Sequence, residues 1–372
     1  MDPHLDAPLA PLAVRSVSGV LPGSDLPGAV LPNAELADLV EEVRAEYRRR
    51  EVDADVPPCS AAFPEERLGI RSRRVLDEHL STRDLAVEAA RRALSGAGVA
   101  PRHVRAVLVA TVTPDRVVPA LATTVAHALD LPPSVTAFDL TLGCNGFLAA
   151  LDVASRLLGT CPEGAAALVV GADTMLRVLD AADRTTCPVF GDGAGAVMLQ
   201  RAAGARLLPV HTTTLGIGGA RIEIRPAARP ELPLFRIASR GGAVRLREER
   251  TSRQVVAMQG RRVFRDMVRT VPGIVRRYLE AYGLAVGDVD RFAFHQANAR
   301  LIDAIASAPE LELPPARLLR NIEHVANTTS ASVPLLLAQA LREERLRPGE
   351  RVVLVGFGTG YSVGITSLTW NG

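Results

Sequence analysis

No lysine occurs in the 372-residue chain; its 43 basic side chains are all arginine. A guanidinium does not form imines, so Schiff-base chemistry, covalent attachment of pyridoxal phosphate and a phosphate-loop lysine are excluded. Cysteine is scarce as well. The four, Cys59, Cys144, Cys161 and Cys187, show no C-x-x-C spacing, which argues against a zinc site and a disulfide framework. No apolar run approaches the length of a membrane span. The opening residues, MDPHLDAPLAPLAV, carry acids and prolines where a signal peptide would be basic. The expectation is a reduced, cytoplasmic protein with no membrane partner. A net charge of +2 gives no bulk attraction for nucleic acid. The apolar share of 48% is that of an ordinary globular protein, and the length calls for two domains or one duplicated unit.

One stretch organises what is present: Thr141 to Leu158, TLGCNGFLAALDVASRLL. A strand, Val135 to Leu140, runs into a turn with Gly143 and Gly146 on either side of Cys144 and Asn145. Beyond it Phe147, Leu148, Leu151, Ala154, Leu157 and Leu158 recur at helical spacing. A helix start favours thiolate over thiol, and the glycines allow close approach. These features point to Cys144 as a nucleophile that carries an acyl group. A small buried cysteine beneath a helix is the alternative reading.

In chain order, residues 1 to about 12 read as a loose arm and Leu12 to Leu21 as a strand. Asn33 is placed to cap a helix running to Arg50, with Leu36, Leu39, Val40 and Val43 on its inner face. Residues 51 to 66 read as irregular. Ser81 and Thr82 cap a helix that Gly96 and Gly98 end. Val104 to Thr111 is an apolar strand, Ala120 to Leu129 a helix, and Ala165 to Gly171 a further buried strand. Residues 204 to 255 resemble a hairpin-rich insertion. A long helix follows from Arg261 to Tyr282, and strand Val289 to Phe294 runs into His295. A strand is expected after Leu319, a helix from Pro334 to Leu341, and last strands at Arg351 to Val355 and Ser362 to Trp370.

The order repeats. ALSGAGVAPRHVRAVLVA aligns without gaps on YLEAYGLAVGDVDRFAFH, placing Gly98 on Gly283 at an offset of 185 residues. The same offset places Leu168–Gly171 on Val353–Gly356 and brings Cys144 within two positions of Asn327. Two copies of one α/β unit, about 1–205 and 206–372, are implied, with two sheets and helices in layers between and outside them. Chemistry gathers where the strands of such sheets end. There the sequence offers Cys144 from one half, and His295 and Asn327 from the other. A Cys–His pair activates a thiol. A neutral imidazole and a carboxamide could together hold an enolate. The N–H groups of Cys144 and of the GFGTG turn, Gly358 and Thr359, could form a second oxyanion hole. His295 could equally be a core histidine and Asn327 a turn residue. His324 reads as structural, as do the other three cysteines. The glycine runs at Gly191–Gly195 and Gly356–Gly360 each precede a strand, so neither is a dinucleotide fingerprint. Arg261, Arg262, Arg265 and Arg269 share helical spacing, either as a solvated face or as a dock.

Five runs, AFDLTLGCNGFLAAL, DRTTCPVFGDGAGAV, FAFHQANARLI, HVANTTSASVPL and VLVGFGTG, together resemble the β-ketoacyl-acyl-carrier-protein synthase III family from about Val14 onward. The resemblance implies a thiolase-like duplicated α/β fold of αβαβα layers. It implies an acyltransferase in which an acyl thioester loads Cys144 and malonyl-acyl carrier protein then condenses with loss of carbon dioxide. His295 and Asn327 would serve the second stage. Phe63 stands where the family has a tryptophan on the adenine of coenzyme A, and Arg67 and Arg184 where its arginines meet that molecule. The resemblance further implies a homodimer, acyl-CoA or acyl carrier protein as substrate, no resident cofactor or metal, and an acidic carrier protein docking on the arginine-rich helix. Three departures stand out. Ala326 replaces a glycine before Asn327, with Thr329 and Ser330 following. Thr359 replaces a smaller residue. Val118 replaces a phenylalanine that closes the acyl pocket across the dimer, which implies a longer or branched acyl group. Transfer of the acyl group to a hydroxyl or amine, a plant-type polyketide synthase and a non-catalytic partner subunit remain alternatives.

Overall fold

The computed structural model describes residues 10–53, 56–204, 207–216, 221–228, 231–250 and 254–371. The expected N-terminal arm falls largely on residues 1–9, and the expected boundary between halves on 205–206; both lie outside the described residues.

Two sheets carry the architecture. The first has five strands in the order Leu12–Val20, Gly193–Arg201, Ala166–Asp173, Val104–Ala110, Thr136–Leu140. The second has, among the described residues, Arg291–Phe294, Arg351–Phe357, Ser362–Thr369 and His211–Thr214. Strand Ala166–Asp173 is buried along its whole length because helices cover both faces of its sheet. Its side chains alternate between them. Leu168 and Val170 pack outward with helices Thr82–Gly96 and Leu121–Ala128. Ala167 and Val169 pack inward with helices Gly146–Gly159 and Ser332–Arg342.

That inner cluster also holds Val352 and Leu354 of the second sheet, so the two central helices form one layer shared by both sheets. Val353 and Val355 face the other way, toward the long helix Gly260–Ala281 and helix Ala299–Ala306. The result is five layers, helix–sheet–helix–sheet–helix. The internal repeat extends to strand register. Val107 pairs with Leu168 in parallel, and Phe292 pairs with Val353, each number 185 higher.

Local signals mostly hold. Ser81 and Asp84 form a capping box, with the Ser81 N–H 2.8 Å from the Asp84 carboxylate. The insertion is built of two antiparallel pairs, Ile222–Pro226 with Gln254–Met258 and Phe235–Arg240 with Ala243–Glu248. Four expectations need correction. Asn33 caps nothing: Pro32 precedes the helix, and the Asn33 amide instead donates to the Ile70 carbonyl and accepts from buried Arg73. Within residues 51–66 a helix begins at Ala62 and runs to Leu68, after which Ser72–Leu76 pairs with Gly28–Pro32. Leu157 is 36% exposed on the far side of its helix. The strand expected after Leu319 shrinks to a single bridge between Phe292 and Leu318, because the Asn321 and Ile322 N–H groups turn to the Gln296 side-chain oxygen.

Close packing of the halves demands small residues at the seam. A Cβ added at Gly171 would lie 2.2 Å from the Ser330 carbonyl oxygen, whereas one at Gly159 would meet nothing within 4 Å. Gly171→Ala should therefore destabilise the fold by about 1–3 kcal/mol through overpacking. Gly159→Ala should be neutral or stabilising by up to about 1 kcal/mol. Denaturant unfolding of the pair tests this; equal stabilities would refute the seam.

Candidate active site

Cys144 sits in a 3-10 turn, Gly143–Asn145, between strand Thr136–Leu140 and helix Gly146–Gly159. Gly143 has φ +58°, and a Cβ there would strike the Thr359 hydroxyl at 2.3 Å. Opposite, a Cβ on Gly358 would lie 2.9 Å from the Cys144 Cβ and 3.2 Å from its sulfur. Glycine on both sides thus lets the C-terminal turn lie directly against the thiol.

The expected activation of the thiol by a helix start is not found. The α-helix begins only at Gly146, and Cys144 is 8% exposed. Burial pushes its thiol up to about 12, the Asp173 carboxylate adds to this, and a backbone hydrogen bond only partly opposes it. Burial thus favours the thiol over the thiolate.

His295 directly follows strand Arg291–Phe294, and its N–H donates to the Val355 carbonyl at 2.7 Å. Its ring stands edge-on to Phe357 with centroids 5.5 Å apart. It is 1% exposed, and Nδ1 has no hydrogen-bond partner among the described residues. Burial lowers its pKa to about 3, so the imidazole is neutral at neutral pH. The neighbouring Gln296 locks this corner. Its N–H donates to Ser332, its amide to the Phe294 carbonyl, and its oxygen accepts from Asn321 and Ile322.

Asn327 is held as a bridge to Phe190: its N–H donates to Val189 and its carbonyl accepts from Gly191, both at 3.0 Å. Its side-chain oxygen accepts the Thr329 N–H at 2.9 Å, which leaves the amide donors for the cavity. Ala326 adopts φ +59°, ψ −164°, a region that glycine alone visits without strain. The chain keeps the glycine-like backbone path at a cost of about 1–3 kcal/mol.

These three side chains line one cavity of about 1060 Å³. Much of its wall is apolar, with Met175, Val189, Phe190, Ile224, Met258 and Phe264 among the lining. Phe63, Arg67, Arg184 and Arg261 also line it, and the Arg184 guanidinium lies over the Phe63 ring at 5.0 Å. Gly358 and Thr359 do as well. The Gly358 N–H, however, donates to the Ser362 carbonyl at 3.2 Å and is not available for an oxyanion hole. Thr359 opens a short 3-10 turn, Thr359–Tyr361, whose first N–H has no partner within the turn.

Arg262, Arg265 and Arg269 are exposed on the long helix and do not line the cavity. Val118 is 80% exposed and stands outside it too. His324 is exposed, and its carbonyl accepts from Ser72. The four cysteines are free thiols. Two residues at the site escape sequence reasoning. Arg300 lines the cavity from the FAFHQANARLI run, and its position five residues after His295 was the available signal. Asp173, fully buried at the end of strand Ala166–Asp173, had only its place at a strand end to mark it.

A duplicated five-layer α/β fold, with a buried cysteine, a neutral histidine and an asparagine on one cavity, defines a condensing enzyme of the thiolase fold. The family model of the 3-oxoacyl-[acyl-carrier-protein (ACP)] synthase III C-terminal region matches residues 279–370, and that of 3-oxoacyl-[acyl-carrier-protein (ACP)] synthase III matches residues 138–216. A β-ketoacyl-[acyl-carrier-protein] synthase III of Rhizorhabdus wittichii is 38% identical over 353 residues, 94% of this chain and 97% of that protein. The crystal structure of 3-oxoacyl-(acyl carrier protein) synthase III from Pseudomonas aeruginosa is similar at a TM-score of 0.79 and 32% identity, covering 97% of this chain and 99% of that one. The priming β-ketosynthase of the R1128 polyketide pathway is similar at a TM-score of 0.80 and 30% identity, covering 99% of each chain. The chain belongs to the 3-oxoacyl-acyl-carrier-protein synthase III family and is a condensing enzyme of that type. Among the described residues no helix is long and apolar enough to cross a membrane.

The buried imidazole makes stability depend on pH with a definite sign. Unfolded, His295 takes up a proton as pH falls through 6.5; folded, it does not until about 3. The folded state therefore loses stability as pH drops across that window. Between pH 7 and pH 4.5, wild type should lose about 2 kcal/mol more than His295→Gln in urea unfolding. Comparing the two proteins isolates this group from Asp192, whose carboxyl burial pushes up to about 6. Equal losses would place a charged histidine in the folded protein.

Proposed function

We propose that the protein transfers an acyl group from an acyl thioester, such as acyl-coenzyme A, to Cys144. It then condenses that group with malonyl-acyl carrier protein, releasing carbon dioxide and a β-ketoacyl thioester. The observation that carries this reading is the convergence of a thiol, a neutral imidazole and a carboxamide on one largely apolar cavity.

In the first stage the Cys144 proton passes to the His295 imidazole as sulfur attacks the thioester carbonyl. It leaves on the departing thiolate, so His295 returns to neutral. The N–H groups of Cys144 and Thr359 support the tetrahedral oxyanion. In the second, malonyl carboxylate departs as carbon dioxide, and the electrons left behind form an enolate. His295 and Asn327 both donate hydrogen bonds to it without a charge that would favour the starting carboxylate. The enolate carbon then attacks the acyl carbonyl, and Cys144 leaves as thiolate and takes up one proton from solvent.

The mouth of the cavity suits an anionic, aromatic-tipped carrier group. Phe63 and Arg184 stack there, and Arg67, Arg261 and Arg300 bring positive charge. The exposed Arg262, Arg265 and Arg269 extend that charge along the long helix toward an acidic carrier protein. Among the described residues strand Thr136–Leu140 is the last of its sheet, which supports pairing with a second copy. In such a homodimer the exposed Val118 would reach the partner's acyl pocket and leave room for longer or branched chains. A cytoplasmic location fits these substrates.

Intact-mass spectrometry against a panel of acyl thioesters tests the loading step. Cys144→Ala should gain no mass. Wild type should gain one acyl group, with branched or medium chains at least matching acetyl. Adding malonyl-acyl carrier protein should then release carbon dioxide. Asn327→Ala should still load but release it about 100-fold more slowly. Discharge by an alcohol without gas would instead favour simple acyl transfer. Separately, Arg265→Glu or Arg269→Glu should raise the KM for malonyl-acyl carrier protein about tenfold and leave self-acylation unchanged. An unchanged KM would assign these arginines to a solvated face.

A further inference from the structure

Asp173 is a carboxylate with no exposure, and its two oxygens face opposite halves of the fold. One accepts from the Thr111 hydroxyl at 3.0 Å, the Val112 N–H at 2.8 Å and the Thr113 hydroxyl at 3.0 Å, all on the segment that follows strand Val104–Ala110. The other accepts from the Thr329 hydroxyl and from the Ser330 N–H at 3.0 Å, in the loop just after Asn327. The partners are all neutral donors, and five of them are assembled around one buried carboxyl group, whose pKa burial raises and these hydrogen bonds lower.

The loop it holds is strained. Ala326 at φ +59° and Thr329 at φ +47° lie on either side of Asn327, and Thr329 is β-branched, a type that rarely tolerates positive φ. Strained backbone persists only where the surroundings over-determine it. Here the surroundings are identifiable. The Thr329 hydroxyl is bound to Asp173, and the Thr329 N–H holds the Asn327 side-chain oxygen at 2.9 Å. Ser330 adds a second tie, its hydroxyl donating to the Gly143 carbonyl at 3.1 Å beside Cys144.

We propose that Asp173 is a positioning residue that, through Thr329, clamps the strained Asn327 loop so that the Asn327 amide donors point into the cavity. It touches neither substrate nor reacting atoms. Through the loop its effect falls on the stage that uses Asn327, decarboxylation and condensation; on acylation it acts only by its charge, which raises the Cys144 thiol. This rests on the roles proposed above for Cys144 and Asn327.

The consequence is a split between half-reactions. Asp173→Asn keeps one acceptor oxygen for five donors; with that oxygen on the side of its three donors at Thr111–Thr113, the amide NH2 opposes the Ser330 N–H and the loop loses its acceptor. In Thr329→Val the shape is kept and the hydroxyl removed. Thr329→Val should acylate Cys144 within about threefold of wild type by intact mass, and Asp173→Asn, which removes a charge that raises the thiol, at least as fast as wild type; both should release carbon dioxide from malonyl-acyl carrier protein about 30–100-fold more slowly. Thr329→Ser keeps the hydroxyl and should stay within about threefold of wild type in both. Ala326→Gly relieves one strained position and should recover about tenfold of the loss when combined with Thr329→Val. Should Asp173→Asn fail to fold, the Thr329 series carries the test, with thermal melting as the folding check.

Parallel loss of loading and gas release, no loss of either, or a Thr329→Ser as impaired as Thr329→Val would overturn the positioning role. A wild type that loads but releases no carbon dioxide would overturn the condensation reading and this inference with it. The behaviour of wild type alone distinguishes the two failures.

Discussion

The site depends on one shared apolar layer. Helices Gly146–Gly159 and Ser332–Arg342 lie between the sheets, and their Leu148, Leu151, Leu336 and Leu337 are buried against strands of both. Each such side chain is worth roughly 1.5–3 kcal/mol on burial, so separating the halves would expose the main core of the molecule. The same layer sets the site. The turn before each central helix, Gly143–Asn145 in one half and Thr329–Ala331 in the other, is carried to the seam by its helix. Cys144 and the Asn327 loop meet because the helices behind them pack, and the absent Cβ atoms of Gly143 and Gly358 let the C-terminal turn close against the cysteine.

Exclusion of water then decides the electrostatics. A buried imidazole stays neutral and a buried thiol stays protonated, so the resting site carries no charge on either group. A charged histidine would hold a malonyl carboxylate in its starting state, and an asparagine with a neutral histidine avoids that. The cost is a poor resting nucleophile, which makes proton transfer to His295 part of the attack. The carboxyl group that acts on the cysteine, Asp173, is engaged in a nest of five donors; in the role proposed for it, it serves geometry in place of acid–base chemistry.

Strain and function coincide around Asn327. Ala326 and Thr329 hold backbone conformations that a glycine would adopt freely, and the path of the loop is nonetheless preserved. Tertiary hydrogen bonds from the opposite half supply what local propensity withholds. A single residue change in this loop is thus judged by what the other half of the chain offers it.

Much was legible in the sequence because it is local or periodic. Buried strands read as apolar runs, helices as 3.6-residue stripes, and the duplication as an offset of 185 residues that the strand register repeats. From that repeat the meeting of Cys144, His295 and Asn327 followed. What the tertiary structure alone decided concerns burial and distant partners. The acidity of Cys144 read from its helix start is opposed by desolvation, which pushes the thiol up although Cys144 lies in the 3-10 turn that leads into the helix. The Gly358 N–H is taken by a strand partner, the strand after Leu319 yields to a glutamine side chain, and Asp173 gains its place only when two segments 156 residues apart fold together. Sequence periodicity reports which face of an element is apolar; which polar atom on that face finds a partner is settled only by packing.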